Sequence, residues 1–342
     1  MKIDCSISLA IGGSAATARA AEEAGYDGAW TLEASHDPFL PCVVAAEHSE
    51  RLEIGTSIAV AFARNPMTMA YTARDLQSFS KGRFLLGVGS QVKPHIERRF
   101  SMPWSQPAAR MREYIAAMRA IWDAWENGTR LDFRGDFYTH TLMTPFFDPG
   151  PTGFGPPAVY LAGVSERMTE VAGEAGDGFL GHGFTTERYV REVTRPALER
   201  GRARSGKTLD GFNIALPGFV VTGSTAEEMD AAADTARQRI AFYGSTPAYR
   251  GVLELHGWSA LHDDLHVMSR QGRWVEMGKL IDDEILHAFA VVAEPEQLAA
   301  ELLRRYRGIV TRLSISAPHQ FDAARWKPVL EELRAGLGRE AV

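Results

Sequence analysis

The chain has little cysteine. Cys5 and Cys42 are the two cysteines in 342 residues, so a disulfide framework is excluded as the source of stability and a reducing, cytoplasmic setting fits. There is no charge excess that would draw the protein to nucleic acid or anionic lipid. The 37 basic and 43 acidic residues leave a net charge of −6. No apolar run approaches the ~20 residues that span a bilayer, and no basic start followed by an apolar core marks a secretory leader. No Gly-x-Ser-x-Gly elbow is found. The dinucleotide fingerprint that opens at Gly87-Val88-Gly89 lacks its third glycine, because Val92 stands there. What remains is a chain that is 45% hydrophobic, able to bury a large core without staples.

Strand-like and helical runs alternate along it. Strands are expected over residues 2–9, 29–32, 52–60, 84–87, 159–162, 178–180, 213–221 and 310–315, with helices between them. The helix over 108–127 carries Met111, Tyr114, Ile115, Met118, Ile121, Trp122 and Trp125 in steps of three and four, one broad stripe for packing on a sheet. Gly25 closes the first helix, Pro66 opens the third, and Ser224–Glu227 and Thr225–Glu228 each match a capping box. The rhythm breaks twice. Residues 131–157 are rich in Pro, Gly and Phe, which suggests a packed excursion, and 247–283 read as a helical insertion. Residues 286–292 add a short strand. Eight strands alternating with helices predict a (β/α)8 barrel with insertions, one domain over 1–342. A doubly wound sheet is the alternative.

In a barrel the functional loops follow the strands. Glu33-Ala34-Ser35-His36-Asp37-Pro38 follows the second. Its carboxylate and imidazole suit acid/base work or hydrogen bonds to a ligand ring, or else Asp37 simply holds the loop before Pro38. Gly87-Val88-Gly89 is either a tight turn or a surface for a planar ligand. Ala162-Gly163-Val164-Ser165 opens a helix and is either an ordinary serine cap or an anion site. Gly181-His182-Gly183 lies beside it and strengthens the anion reading. His262-Asp263-Asp264-Leu265-His266 has the spacing of a zinc-protease helix but lacks its Glu, so the reading is solvated helix residues with no metal.

Five segments together resemble the luciferase-like family of flavin- and deazaflavin-dependent oxidoreductases. They are Glu22-Glu23-Ala24-Gly25-Tyr26-Asp27, Leu52-Glu53-Ile54-Gly55-Thr56, Asn65-Pro66, Ser80-Lys81-Gly82-Arg83-Phe84-Leu85-Leu86-Gly87-Val88-Gly89 and Gly176-Asp177-Gly178-Phe179. The long Gln91-Val92-Lys93-Pro94-His95 loop looks most like the branch using coenzyme F420. The resemblance implies the same barrel, a non-prolyl cis peptide at Ser57–Ile58 behind the cofactor's middle ring, and a homodimer. It places Glu33 near the ring's polar edge, Gly89, Ser90 and His95 along the cofactor, and Ala162, Gly163, Val164, Gly181 and His182 around its phosphate tail. The sugar-phosphate-oxidising branch has His directly after the strand-two acid and Glu where Val92 aligns. Here Ala34 follows Glu33, so that substrate scheme is not carried over and His36 is the nearest candidate for proton transfer. The expected activity is hydride transfer between F420 and a small organic substrate. The alternatives are an FMN-dependent monooxygenase, a non-catalytic deazaflavin- or flavin-binding protein, and a metal-dependent barrel hydrolase.

Overall fold

A computed structural model describes residues 1–317 and 322–338. The barrel strands are β1 (Lys2–Ser6), β2 (Gly28–Thr31), β3 (Glu53–Thr56), β4 (Phe84–Gly89), β5 (Ala158–Ala162), β6 (Gly178–Leu180), β7 (Asn213–Val221) and β8 (Arg312–Ser316). Each pairs in parallel with the next, and Arg312 of β8 lies opposite Lys2 of β1 on one side and Ala215 of β7 on the other, which closes the ring. The (β/α)8 barrel read from the alternation is therefore the fold.

The helices are α1 (Ile11–Ala24), α2 (Phe39–Glu47), α3 (Pro66–Phe79), α4 (Pro107–Asn127), α5 (Glu166–Ala175), α6 (Arg195–Arg204), α7 (Ala226–Gly244), α8 (Ser259–Arg270), α9 (Asp283–Phe289), α10 (Pro295–Tyr306) and α11 (Ala323–Gly338). All seven apolar residues of the predicted α4 stripe are buried. The periodicity of α4 is thus satisfied by packing on the barrel, which is the main source of stability for such a helix. Thr225 is the cap chosen for α7: its hydroxyl accepts from the Glu228 amide at 3.2 Å, and the Glu228 carboxylate reaches back to the Ser224 amide at 2.8 Å.

The barrel is filled by side chains rather than hollow. Trp30, Leu85, Tyr160, Leu180 and Ala215 form one buried cluster, with the Trp30 and Tyr160 rings 5.8 Å apart edge to face. Glycines opposite the two aromatics make the room, since a Cβ at Gly55 would lie 2.4 Å from the Trp30 ring and one at Gly178 2.5 Å from Tyr160. Near the strand starts sits a closed charge cluster. Arg312 binds both oxygens of Asp4 (2.8 and 2.7 Å), Trp30 donates to Asp4 at 2.9 Å, and Glu53 bridges Arg312 and Lys2.

Two expectations are corrected. The run 52–60 is not one strand: it stops at Thr56 and resumes at Ala59–Val60, which pairs with Val88 and Gly89 of β4. The run 286–292 is helical to Phe289, and only Ala290–Val292 is strand; it pairs with the end of β7. Its apolar residues pack at helical spacing on α7, which a short apolar run cannot reveal by itself. The excursion 131–157 is tied down by Glu113, whose carboxylate takes the amides of Asp136, Phe137 and Tyr138, and by Tyr71 and Arg74, which bind the carbonyls of Phe147, Pro149 and Gly150. Its aromatics are divided: Tyr138 packs on Tyr114, whereas Phe146 is 89% exposed.

Candidate functional site at the barrel mouth

The break in β3 lies where β2, β3 and β4 end. The Ser57–Ile58 peptide is cis. The Ser57 amide donates to the Thr31 carbonyl at 2.6 Å, and the Ile58 carbonyl accepts from the Glu33 amide at 3.1 Å, so β2 grips the bulge on both sides of that bond. The Glu33 carboxylate is 6% exposed and turned toward the chain following the bulge. One oxygen takes the Val60 amide at 2.8 Å and Arg64 at 2.6 Å, and Arg64 also binds Asp37 at 3.1 Å. Glu33 thus holds the segment 57–64 in place, a role that comes from its partner Arg64.

Ile58 is turned toward β4. Its side-chain carbons lie 3.0 and 3.1 Å from where a Cβ on Gly89 would stand, and the Ala162 methyl lies 3.6 Å from that point. Ile58, Gly89 and Ala162 therefore meet, and a side chain at 89 would press on Ile58. Ser57 is exposed at the mouth and Ser90 is half-buried with its hydroxyl donating to the Gln91 carbonyl at 3.0 Å. His36 and His95 are both exposed on their loops, and no hydrogen bond joins them to the rest of the group among the described residues. The two loops do meet elsewhere, where Arg99 donates to the Ala34 carbonyl.

Next to this bulge, across β5, lies a second gathering. Gly163, Val164, Gly181 and His182 line one narrow cleft at the start of α5. First-turn amides of a helix have no intrahelical acceptor. Here Ser165 caps the one on Met168 at 3.4 Å. Glu166 also lines the cleft, but its carboxylate is drawn to Arg200 at 2.9 Å. The serine is a cap, and Gly163 and Val164 line the cleft beside it. Burial pushes the His182 imidazole down to about 4, so the ring is neutral at pH 7. Its Nδ1 accepts from the Phe184 amide at 3.0 Å, which puts the proton on Nε2.

The far wall comes from the insertion. Tyr249 stacks on His182 at 4.6 Å, Tyr243 meets the same ring edge-on at 4.5 Å, and Ala248 and Val252 complete the closure. His256 is hydrogen-bonded to Thr186 at 2.8 Å and moors the same segment. The open space left is about 30 Å³, roughly one water. Nothing in the local sequence announced Tyr249, because its register against His182 is fixed only by the fold.

The expectation for His262 and His266 is corrected. They are not solvated: His262 is buried, and its Nδ1 meets the Gly244 carbonyl at 2.7 Å while that of His266 meets the Ser245 carbonyl at 3.0 Å. The pair caps the end of α7, whose last carbonyls have no helical donor. Asp263 is taken by Arg250 at 2.8 Å.

With this geometry in view, the chain belongs to the luciferase-like monooxygenase family, whose description matches residues 9–312. An uncharacterized protein of Mycobacterium tuberculosis (strain ATCC 25618 / H37Rv) is 55% identical over 313 residues, 92% of each chain. The 5,10-methylenetetrahydromethanopterin reductase of Archaeoglobus fulgidus is 24% identical over 87% of each. Among solved structures, the coenzyme F420-dependent tetrahydromethanopterin reductase of Methanopyrus kandleri superposes with a TM-score of 0.79, covering 98% of this chain and 99% of that one at 18% identity. The family is one of enzymes, and no helix among the described residues is long and apolar enough to cross a membrane.

Proposed function

We propose that this protein is an F420-dependent oxidoreductase that moves a hydride between the deazaflavin and a small organic substrate. The observation that carries the reading is the adjacency of two features. Ile58, Gly89 and Ala162 meet at a bulged strand end, and across β5 Gly163, Val164, Gly181 and the neutral His182 line one narrow cleft. A planar ring beside a phosphate-bearing tail needs that combination. An F420-dependent glucose-6-phosphate dehydrogenase of Nocardia farcinica, 32% identical over 56% of this chain and 60% of that one, supports the deazaflavin over other ring cofactors.

The bound deazaflavin supplies a two-electron hydride carrier that reacts poorly with oxygen. The chain supplies the rest. Glu33 and Arg64 hold the Ser57–Ile58 bulge as a backrest, and a preset backrest fixes the approach of ring and substrate. Gly163, Val164, Gly181 and the Nε2–H of His182 would hold the anionic tail. Tyr249 and its neighbours exclude water there, and must give way to admit a group larger than a water. His36, exposed on the loop after β2, would take or give the proton that accompanies the hydride. Ser90 and His95 line the approach from the β4 loop. Residues 131–157 and 247–283 cover the site, and the active unit is a homodimer in the cytoplasm.

The purified protein titrated with F420, and separately with FMN, tests this. Binding of F420 followed by substrate-dependent change at the deazaflavin band supports it. Binding of FMN alone, with oxygen consumption when a flavin reductase is added, assigns the FMN monooxygenase instead. F420 binding with no hydride transfer to any of a broad substrate panel assigns a non-catalytic carrier.

A further inference from the structure

A larger cleft lies outside the barrel and shares no lining residue with the mouth cleft. It holds about 790 Å³ between α7, α10 and α11, within the ~300–1,000 Å³ of small-molecule sites. Ala232, Leu298, Trp326 and Val329 give it an apolar floor, each of them buried, with Trp326 3% exposed. Apart from Arg325, every polar side chain lining it can accept a hydrogen bond: three carboxylates and the hydroxyls of Thr222, Ser224 and Thr235. The Thr222 hydroxyl oxygen is buried and without a hydrogen-bond partner. Pro328 sits inside α11 and has no N–H to give to the carbonyl of Ala324, one turn earlier on the same wall. Three carboxylates line the cleft, those of Glu228, Glu296 and Glu332, against one cation, Arg325. Arg325 is committed to Glu228 through two bonds of 3.1 Å. Glu296 and Glu332 are exposed at the rim and form no ion pair with a described residue.

An apolar floor under unanswered acceptors and excess negative charge selects one ligand chemistry. We propose that this cleft binds a small hydrophobic amine: an aromatic or aliphatic body over Ala232, Leu298 and Trp326, and a protonated nitrogen toward Glu296 and Glu332. A neutral alcohol of the same shape answers the acceptors but not the charge. A carboxylate of the same shape is repelled.

Calorimetric titration of the full chain with 4-phenylbutylamine, 4-phenylbutan-1-ol and 4-phenylbutyrate tests the order. The amine is expected to bind about tenfold tighter than the alcohol, and the carboxylate weakest. Ala231→Phe, at an exposed position lining the cleft, is expected to remove amine binding with the melting temperature unchanged. Glu296→Gln with Glu332→Gln is expected to bring the amine down to the alcohol. F420 or FMN binding at the mouth is expected to survive all three substitutions, which separates this site from the proposed active site. Equal binding of the three compounds, no binding of the amine, or amine binding untouched by Ala231→Phe would overturn the proposal.

Discussion

At the scale of single residues, His182 shows what burial does to a group that sequence can only nominate. Its folded value of about 4 lies below the ~6.5 of an exposed imidazole. A depressed value means the unfolded chain takes up the proton first as the pH falls. The stability it contributes is full above pH ~6.5 and is lost as the pH drops toward 4, by roughly 3 kcal/mol if that histidine acts alone. His182→Phe, which keeps the stacking partner for Tyr249, is expected to flatten the fall in urea midpoint between pH 7 and pH 4.5. An unchanged slope would mean that the ring is hydrated rather than buried. Six residues mark how far the sequence reached at this scale. Gly163, Gly181 and His182 were legible as neighbours because successive barrel loops lie side by side. The carbonyl-capping role of His262 and His266 was not, because it depends on where the end of α7 falls in space. The inward turn of Glu33 was not legible either, since its ion-pair partner stands 31 residues on.

At the scale of elements, the strands and helices of the barrel were legible from period and caps, and the α4 stripe was read residue by residue. Strand 213–221 matched its expected bounds, whereas 52–60 did not, because hydropathy is blind to a backbone that breaks register within an apolar run. The contact between β3 and β4 gives the sharpest prediction here. A Cβ on Gly87 would lie 1.7 Å from the Thr56 carbonyl oxygen, and the Thr56 hydroxyl binds both the carbonyl and the amide of Gly87 at 2.7 and 3.1 Å. Backbone cannot be repacked as a side chain can, so Gly87→Ala is expected to cost at least ~3 kcal/mol in denaturant unfolding, above the ordinary range for overpacking. Wild-type stability in that variant would mean that β3 and β4 separate freely. At α5, Ser165→Ala removes the acceptor for the Met168 amide and is expected to cost ~1 kcal/mol.

At the scale of the whole molecule, the charge cluster of Asp4, Glu53, Lys2 and Arg312 joins the first strand of the barrel to the last and to the third. Asp4 and Arg312 are both buried, at 0% and 2% exposure, so neither can turn to water when the other is lost. Arg312→Met leaves Asp4 as an uncompensated buried carboxylate and is expected to cost ~3–5 kcal/mol. The double variant Asp4→Asn with Arg312→Met should recover part of that loss; if it is no more stable than the single variant, the cost lies in packing against Trp30 rather than in charge. The cluster closes the bottom of the barrel, leaving the opposite ends of the strands to carry the site.

The central claim is that the mouth of this barrel receives F420 with its ring at the Ser57–Ile58 bulge and its anionic tail at the start of α5. Hydrogen exchange of the backbone amides, read with and without F420, measures both halves together. The account predicts slower exchange over 57–60 and 163–168 when F420 is added. Binding of F420 that leaves both segments exchanging as before would contradict it.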